Sequence, residues 1–200
     1  MFRALASLDF SSNSFKTLIP DLLCNLSSLV RLDLSKNMFS GPIPTSVGPL
    51  VRLEDLYLND NQLNGNIPIS IGQLSKLKNL DLSSNSLVFS GRLPGCLGNL
   101  INLNVIDVAN NSITGVVPSS LRSLKDLQSL HLHNNRFMGN IPLSLQNLTG
   151  LFTTDLGNNL FKGTIPLWIG EKLYELRFLN LKSNKFSGKI PLQLCHLNAL

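Results

Sequence analysis

The sequence predicts an α/β solenoid, with a parallel β-sheet on its concave side and short 3₁₀ or helical turns on its convex side. Three observations predict this fold class: an asparagine recurs about every 24 residues, an aliphatic L-x-x-L-x-L pattern precedes it, and an apolar–proline pair follows it. Repetition at a fixed period of about 20–50 residues is the sequence signature of repeat architectures. The recurring asparagines are Asn13, Asn37, Asn61, Asn85, Asn111, Asn135, Asn159 and Asn184.

The aliphatic pattern predicts one short strand in each repeat. In the second repeat it consists of Leu29, Leu32 and Leu34, and L-x-L alternation is typical of a strand with one buried face. A single repeat buries too little apolar surface to offset the entropy lost when its backbone is ordered. Successive repeats must therefore pair their strands and share one core.

The asparagine comes where each strand ends and the chain turns inward. Its side-chain amide has two donor hydrogens and one acceptor oxygen, so it can satisfy backbone groups of adjacent turns that would otherwise be buried without partners. We therefore expect the eight amides to stack into a ladder that connects each repeat to the next.

The segment after the asparagine predicts a change of direction toward the convex side. In the second repeat, Gly41 supplies backbone conformations that other residues resist, and Pro44 fixes φ in an extended segment. The following residues, up to Leu50, predict a short helical or 3₁₀ turn that buries the leucine. Eight of the ten prolines occupy the Pro44 column: Pro20, Pro44, Pro68, Pro94, Pro118, Pro142, Pro166 and Pro191.

Three departures from the repeat are visible. Val88 and Phe89 are interpreted as a two-residue insertion, and Lys172 marks a lengthening by one residue before Leu173. Thr154 stands where a core leucine is expected, which predicts a small packing or polar defect.

The repeat covers the chain from end to end. We predict one domain, residues 1–200, with eight repeats of about 24 residues, the start of a ninth at 198–200, and no capping domains. Met1 to Asp9 do not resemble a signal peptide, and no apolar run is long enough to span a membrane. We therefore expect a truncated receptor, or a segment that needs partners at its ends.

Composition limits the partners. The formal net charge is +5, but the basic residues are not clustered as in nucleic-acid-binding proteins, so we expect no nucleic-acid partner. The three cysteines are odd in number and far apart, which is not the pattern of a disulfide framework.

The repeat resembles the plant-specific class of leucine-rich repeats, L-x-x-L-x-L-x-x-N-x-L-S-G-x-I-P-x-x-L-G-x-L. The stretches LNLKSNKFSGKIPLQLCHL, residues 179–197, and WIGEKL, residues 168–173, further resemble plant receptor-like proteins of the xylanase-responsive (EIX) type. The resemblance implies a right-handed leucine-rich-repeat superhelix in the extracellular part of a plasma-membrane receptor. It also implies a glycoprotein that acts in plant defence or developmental signalling and is not an enzyme.

Ligand-binding residues are expected on the concave face, because the strand residues that flank and separate the leucines point outward there. Aspartate is common between the two strand leucines in this repeat class, so Tyr57, His131 and Asn180 are interpreted as exceptions. Aromatic and arginine side chains dominate binding hot spots. The predicted ligand-binding residues are Arg31, Asp55, Tyr57, His131, His133, Phe178, Asn180 and Lys182.

The histidines suggest two kinds of chemistry. Asp107 and Asp155 should flank His131 on adjacent strands, which suggests a metal site or a Ser129–His131–aspartate hydrolase. Two histidines at the spacing of His131 and His133 are not a complete ligand set. A hydrolase would need a nucleophile turn, an oxyanion hole and a cleft. We therefore predict no catalytic residues, no metal and no cofactor.

Three asparagines match the N-glycosylation motif N-x-S/T: Asn25, Asn110 and Asn147. Asn25 and Asn147 are expected on convex turns, where a glycan would leave the concave face open. Asn110 is expected on the concave rim, where a glycan would shield part of that face.

The favoured function is recognition of a protein or peptide ligand by a receptor-like protein, with a co-receptor kinase as a second partner. The alternative is a secreted inhibitor of microbial wall-degrading enzymes, as in the related polygalacturonase-inhibitor family. A third class, a repeat segment that is purely structural, also stays open.

Overall fold

The concave side carries an eight-stranded parallel sheet whose strands follow one another in chain order. The computed structural model describes residues 5–86 and 92–197; the insertion interpreted at Val88–Phe89 and the start of a ninth repeat at 198–200 lie outside the described residues. The sheet strands are β1 (Ser7–Asp9), β2 (Arg31–Asp33), β4 (Asp55–Tyr57), β6 (Asn79–Asp81), β7 (Val105–Asp107), β9 (Ser129–His131), β11 (Thr153–Asp155) and β13 (Phe178–Asn180).

Equivalent residues of successive repeats lie opposite one another in this sheet. Leu32 pairs with Leu8 on one side and with Leu56 on the other. The central side chains of the inner strands point into one core that runs through the repeats, and Leu56, Leu80 and their equivalents are fully buried. The predicted α/β solenoid is therefore confirmed.

The asparagine column forms a continuous ladder of hydrogen bonds. The Nδ2 amide of Asn159 donates to the carbonyl oxygens of Leu132 in the preceding repeat and of Leu156 and Gly157 in its own repeat, at 3.0–3.2 Å. Its Oδ1 accepts the backbone N–H of Phe137 at 2.9 Å. Each asparagine from Asn37 to Asn184 makes the same donation to the preceding repeat.

A second set of short parallel strands, which the sequence pattern did not predict, follows the ladder. The strands are β3 (Ser40–Pro42) and β5 (Gln62–Asn64), which pair together, and β8 (Thr114–Gly115), β10 (Arg136–Gly139), β12 (Leu160–Gly163) and β14 (Lys185–Phe186), which form a four-stranded sheet. The rings of Phe137, Phe161 and Phe186 stack behind this sheet at centroid distances of 6.2 and 6.4 Å. This aromatic stack extends the core beneath the second sheet.

The convex side consists of short turns that follow the column prolines, directly in seven of the described repeats and after Leu167 in the repeat of Pro166. In the described part of the chain, seven of these turns are 3₁₀ helices: Asp21–Asn25, Thr45–Val47, Ile69–Gln73, Gly95–Asn99, Ser119–Ser123, Leu143–Asn147 and Leu192–His196. The eighth is the α-helix α1, Trp168–Lys172. In α1 the N–H of Leu173 donates to the carbonyl of Ile169, so the one-residue lengthening at Lys172 converts a 3₁₀ turn into an α-helical one.

The direction changes in each repeat occur at left-handed backbone positions. Gly139 and Gly163 both have φ of +84°, a conformation that a Cβ atom disfavours. The residue before each ladder asparagine also has positive φ, as Asn158 does at +51°. Among the described residues, no helix has both the length and the apolar character that crossing a bilayer requires.

Candidate functional site

The aspartates of the concave sheet have a structural task. Oδ1 of Asp33, Asp81 and Asp155 accepts the backbone N–H of the residue two positions later, at 2.9–3.0 Å. Asp9 and Asp107 make the same bond. Each carboxylate thereby satisfies an N–H group where its strand ends, and this explains why aspartate recurs in the column.

Asn180 has the same task, which corrects its interpretation as an exception to the column. Its Oδ1 accepts the N–H of Lys182 at 3.0 Å. An amide oxygen can replace a carboxylate oxygen as acceptor here, so the asparagine alone does not indicate a function. Tyr57 and His131 are different, because neither side chain supplies the carboxylate or amide oxygen that the strand end uses elsewhere.

Tyr57 belongs to a cluster of charged and polar side chains on β2, β4 and β6, which we call the Arg–Tyr cluster: Arg31, Asp33, Asp55, Tyr57 and Asn79. The guanidinium carbon of Arg31 lies 4.7 Å from the centroid of the Tyr57 ring. The same guanidinium is 2.9 Å from Asp33 and 4.0 Å from Asp55. Asn79 donates to Asp55 at 2.6 Å. These contacts hold the Arg31 and Tyr57 side chains in place on an open surface.

The electrostatics of the Arg–Tyr cluster affect the phenol of Tyr57. Partial burial raises the pKa of Tyr57, and the negative charge of Asp55 acts in the same direction. The phenol therefore stays protonated at neutral pH and is available as a hydrogen-bond donor to a ligand.

His131 belongs to a second cluster, which we call the His cluster: His131, His133 and Asp155. The two imidazole rings meet edge to face at a centroid distance of 6.4 Å. Nδ1 of His133 lies 3.5 Å from Oδ2 of Asp155, while Nε2 of His131 lies 3.3 Å from Oγ1 of Thr153. Ligand-type atoms of the three cluster residues lie within 4.8 Å of one another.

The flanking aspartates are not equivalent. Asp107 and Asp155 both pair with His131 in the strand register, as predicted, but the close contact of Asp155 is with His133. Burial raises the pKa of Asp107, and the neighbouring carboxylate of Asp81 raises it further. Ser129 accepts a hydrogen bond from Thr153 at 2.9 Å, so Thr153, rather than Ser129, contacts the imidazole of His131.

The remaining predicted concave residues lie on the last strand of the sheet or just beyond it. Phe178 is 47% exposed, which is unusual for an aromatic ring on this sheet. Lys182 is exposed two residues beyond Asn180. These residues lie on or just beyond β13, the strand next to β11 of the His cluster, and toward the opposite end of the sheet from the Arg–Tyr cluster.

Several residues of the two clusters were missed by the sequence analysis. Asp33, Asn79 and Thr153 were not among the predicted ligand-binding residues, whereas Asp155 was expected beside His131. The sequence offered one sign of these residues. Each lies one repeat away from a predicted ligand-binding residue, in the same or a neighbouring column of the sheet.

The three glycosylation motifs occupy two kinds of surface. Asn25 and Asn147 end convex turns. Asn110 is exposed on the concave rim, where its Oδ1 accepts a hydrogen bond from Asn134, and Asn134 accepts one from Asn158. Nδ2 of Asn110 donates a hydrogen bond to Oγ of Ser84, and a glycan attached to this nitrogen would disturb that bond.

Comparison with family models identifies the repeat. A leucine-rich-repeat model matches residues 4–26, 28–50, 52–74, 76–100 and 175–197, and a second leucine-rich-repeat model matches residues 94–137. Comparison with curated protein sequences finds no significant match.

Solved structures with the same architecture include plant receptors. The Arabidopsis receptor kinase HAESA, in complex with the peptide hormone IDA and the co-receptor SERK1, is 36% identical, with a TM-score of 0.93 over 98% of this chain and 33% of that one. The ectodomain of the Arabidopsis thaliana membrane receptor kinase GASSHO1/SCHENGEN3, in complex with CASPARIAN STRIP INTEGRITY FACTOR 2, is also 36% identical, with a TM-score of 0.83 over 99% of this chain and 26% of that one. The chain thus spans about a quarter to a third of these two receptor chains.

The architecture also occurs outside plants. The Leptospira interrogans leucine-rich-repeat protein LIC12759 is 27% identical, with a TM-score of 0.70 over 98% of this chain and 53% of that one. The fold alone therefore does not determine the function, which depends on the side chains of the concave face.

Proposed function

Because the chain belongs to the leucine-rich-repeat family, we propose that it is the extracellular ligand-recognition module of a plant cell-surface receptor and binds a peptide or protein on its concave face. The proposal combines the resemblance to receptor ectodomains with two clusters of side chains on one open sheet. It assigns no catalytic role to the chain.

One observation carries the proposal. At Tyr57 and His131 the column of strand-end acceptors is interrupted, although aspartate or asparagine supplies a stabilising hydrogen bond at Asp33, Asp81 and Asn180. A residue that breaks a local structural rule without an evident gain in stability indicates a functional site. Both exceptions face the same side of the sheet and lie within polar clusters.

The dimensions of the sheet suit an extended peptide. Eight strands spaced at about 4.8 Å span about 34 Å, which is the length of about ten extended residues. Tyr57 and Phe178 would be apolar anchors, with Arg31, Asp55, His131, His133, Asn180 and Lys182 as polar contacts around them. Pre-positioned aromatic and arginine side chains lower the entropic cost of binding.

The proposal extends to the setting of the module. HAESA is bound by both a peptide hormone and a co-receptor, and we infer that this chain likewise serves a receptor that engages a co-receptor kinase. We assign it to the EIX-type receptor-like proteins, at the plasma membrane, in defence or developmental signalling. Glycans at Asn25 and Asn147 would leave the concave face accessible.

Peptide selection tests the proposed site. Peptides of about ten residues are selected from a displayed random library on the immobilised chain in EDTA, and the affinity of the selected peptides is measured by biolayer interferometry. Tyr57→Ala and Phe178→Ala should each weaken binding at least about tenfold if these rings are hot spots. Tyr174→Ala and Leu192→Ala, which remove exposed convex side chains, should leave affinity unchanged.

Two results would contradict the concave site. One is that the library yields no peptide that binds. The other is that the Tyr174→Ala and Leu192→Ala variants lose as much affinity as the Tyr57→Ala and Phe178→Ala variants.

The alternative function rests on the resemblance of the repeats to those of the polygalacturonase-inhibitor family. A secreted inhibitor would reduce the turnover of polygalacturonic acid by a fungal polygalacturonase when the chain is added in excess. Inhibition that Tyr57→Ala relieves would favour this alternative over a peptide receptor.

A further inference from the structure

We propose that His131, His133 and Asp155 form a binding site for one divalent transition-metal ion, with Zn²⁺ as the best-suited ion. This inference departs from the sequence-based expectation of no metal and does not depend on the proposed peptide ligand. It rests on the position of Asp155, which completes a set of three ligands that the spacing of the histidines alone did not provide.

Strand geometry brings the three side chains together. His131 and His133 are two residues apart at the end of β9, so both face the concave side. Asp155 pairs with His131 in the adjacent strand β11. The ligand-type atoms of the three residues lie within 4.8 Å of one another. A zinc ion at about 2.0–2.2 Å from each ligand holds tetrahedral donors about 3.3 Å apart, so small side-chain rotations close the site.

Two of the ligand atoms have no competing hydrogen bond. Nδ1 of His133 is buried and has no hydrogen-bond partner, and it lies 3.5 Å from Oδ2 of Asp155. Asp155 uses its other oxygen, Oδ1, to accept the N–H of Gly157 at 2.9 Å. The carboxylate is therefore fixed by one oxygen while the other faces the imidazole of His133.

Neighbouring side chains orient the third ligand. Oγ1 of Thr153 lies 3.3 Å from Nε2 of His131, and the same hydroxyl donates to Ser129 at 2.9 Å. Hydrogen bonds to the non-ligating nitrogen fix the tautomer and ring orientation of a metal-binding histidine. Thr153 and Ser129 would perform this function if His131 binds the metal through Nδ1.

The ligand set selects the metal. Two imidazoles and one carboxylate suit Zn²⁺ and related transition metals, whereas Ca²⁺ and Mg²⁺ prefer oxygen ligands. Three protein ligands leave a fourth position of a tetrahedral ion open. On this face the open position would point into the concave groove, where water or a donor atom of a bound molecule would occupy it.

Titration calorimetry with ZnCl₂ alone, on the full chain freed of metal with a chelator, tests the site. We expect one Zn²⁺ per chain, and neither Ca²⁺ nor Mg²⁺ should compete. His133→Gln and Asp155→Asn should each weaken binding at least about tenfold, because each removes one of three ligands. The asparagine side chain retains an oxygen for the N–H of Gly157, so the fold should tolerate this change. His196→Gln, at an exposed convex histidine, is the matched control.

Cobalt supplies a second measurement that reports on geometry. Co²⁺ bound at this site should show the intense visible absorption of a tetrahedral complex, and Zn²⁺ should displace it. The inference is overturned if Zn²⁺ binds the His133→Gln and Asp155→Asn variants as tightly as the original chain, or if the His196→Gln variant loses binding equally. Absence of stoichiometric Zn²⁺ binding to the folded chain overturns it as well.

Discussion

The polar residues of this chain are of two kinds: those that the repeat structure needs for hydrogen bonding and those that it does not need. The ladder asparagines and the column aspartates each satisfy backbone groups that would otherwise lack partners, as Asn159 does for the carbonyl of Leu132 and the N–H of Phe137. Tyr57 and His131 satisfy no such group, and we propose that they act in recognition instead. A polar residue with a structural role can therefore be recognised by the backbone groups, in its own or an adjacent repeat, that need it as a hydrogen-bond partner.

Thr154 is a polar residue with neither role. It replaces a core leucine, is 4% exposed, and its hydroxyl has no hydrogen-bond partner. It lines a small apolar cavity of about 10 Å³ with Leu145, Trp168 and Leu179. The predicted polar and packing defect is thus located in the seventh repeat.

Thr154→Val should stabilise the chain. Valine has the same shape without the unpaired hydroxyl, and a buried unsatisfied polar group costs about 1–3 kcal/mol, so we expect the free energy of unfolding to rise by about 1 kcal/mol. Urea denaturation followed by circular dichroism measures the change. Thr153→Val is the control, because this hydroxyl is hydrogen-bonded on the concave face and its removal should give no gain. Equal effects of the two substitutions would refute the explanation.

At the scale of elements, the convex turns show how closely successive repeats approach. A Cβ added to Gly98 would lie 2.5 Å from the carbonyl oxygen of Ser120 in the next turn. Gly72 has the same relation to Cys96 in the following turn. At Gly72 and Gly98 the neighbouring turn therefore leaves no room for a side chain, although other repeats hold Arg122 and Gln146 in the same column.

Gly98→Ala should destabilise the chain. The added methyl group would force the Gly95–Asn99 turn away from Ser120, and overpacking of this kind costs about 1–3 kcal/mol. Gly95→Ala lies in the same turn, but its Cβ would meet its nearest neighbour, Oγ of Ser120, at 3.7 Å. Thermal unfolding of both variants checks the prediction: the melting temperature should fall for Gly98→Ala and not for Gly95→Ala. A fall of similar size in both would assign the effect to the loss of glycine itself.

The whole molecule is a linear stack in which each repeat contacts its neighbours. Core residues of the middle repeats, such as Leu80 and Leu130, are fully buried. Toward the ends the equivalent positions are more exposed: Ile190 is 76% exposed, whereas Ile141 in the same column is 5% exposed. Stability in such a stack is the sum of local and nearest-neighbour terms, so it should vary along the chain.

Hydrogen exchange should therefore show a gradient from the middle to the ends. Backbone amides in β4, β6, β7 and β9 should exchange most slowly, because burial on both sides opposes local opening. Amides of β1 and β14 should exchange fastest among the strands. Exchange measured by mass spectrometry, with a denatured sample as reference for the intrinsic rates, checks this. Uniform protection along the strands would show instead that the chain unfolds only as a whole.

The two proposed sites are also properties of the whole stack. The Arg–Tyr cluster draws side chains from β2, β4 and β6, and the His cluster from the end of β9 and from β11. Residues about 24 positions apart become neighbours only because the strands pair in register. The peptide and Zn²⁺ proposals both depend on that register.

The sequence by itself determined the repeat, the positions of the concave strands and convex turns, the amide ladder and the outward columns of the concave sheet. It could do so because an apolar period of about 24 residues, with asparagine, glycine and proline at fixed places, permits one way of burying the leucines. The sequence also placed the one-residue lengthening at Lys172, but only the structure showed that the other turns are 3₁₀ helices and that this one is α-helical.

Only the tertiary structure decided which outward side chains meet. Three features were decided in this way: the contact of His133 with Asp155, the stacking of Arg31 on Tyr57, and the second sheet after the ladder. They depend on side-chain rotamers and on the distance between adjacent repeats, which no single repeat specifies. The same is true of Asn180, whose role became clear from its bond to Lys182. Contacts between residues far apart in sequence depend on which side chains the register places side by side and on the rotamers they adopt, so the pattern of one repeat alone does not contain them.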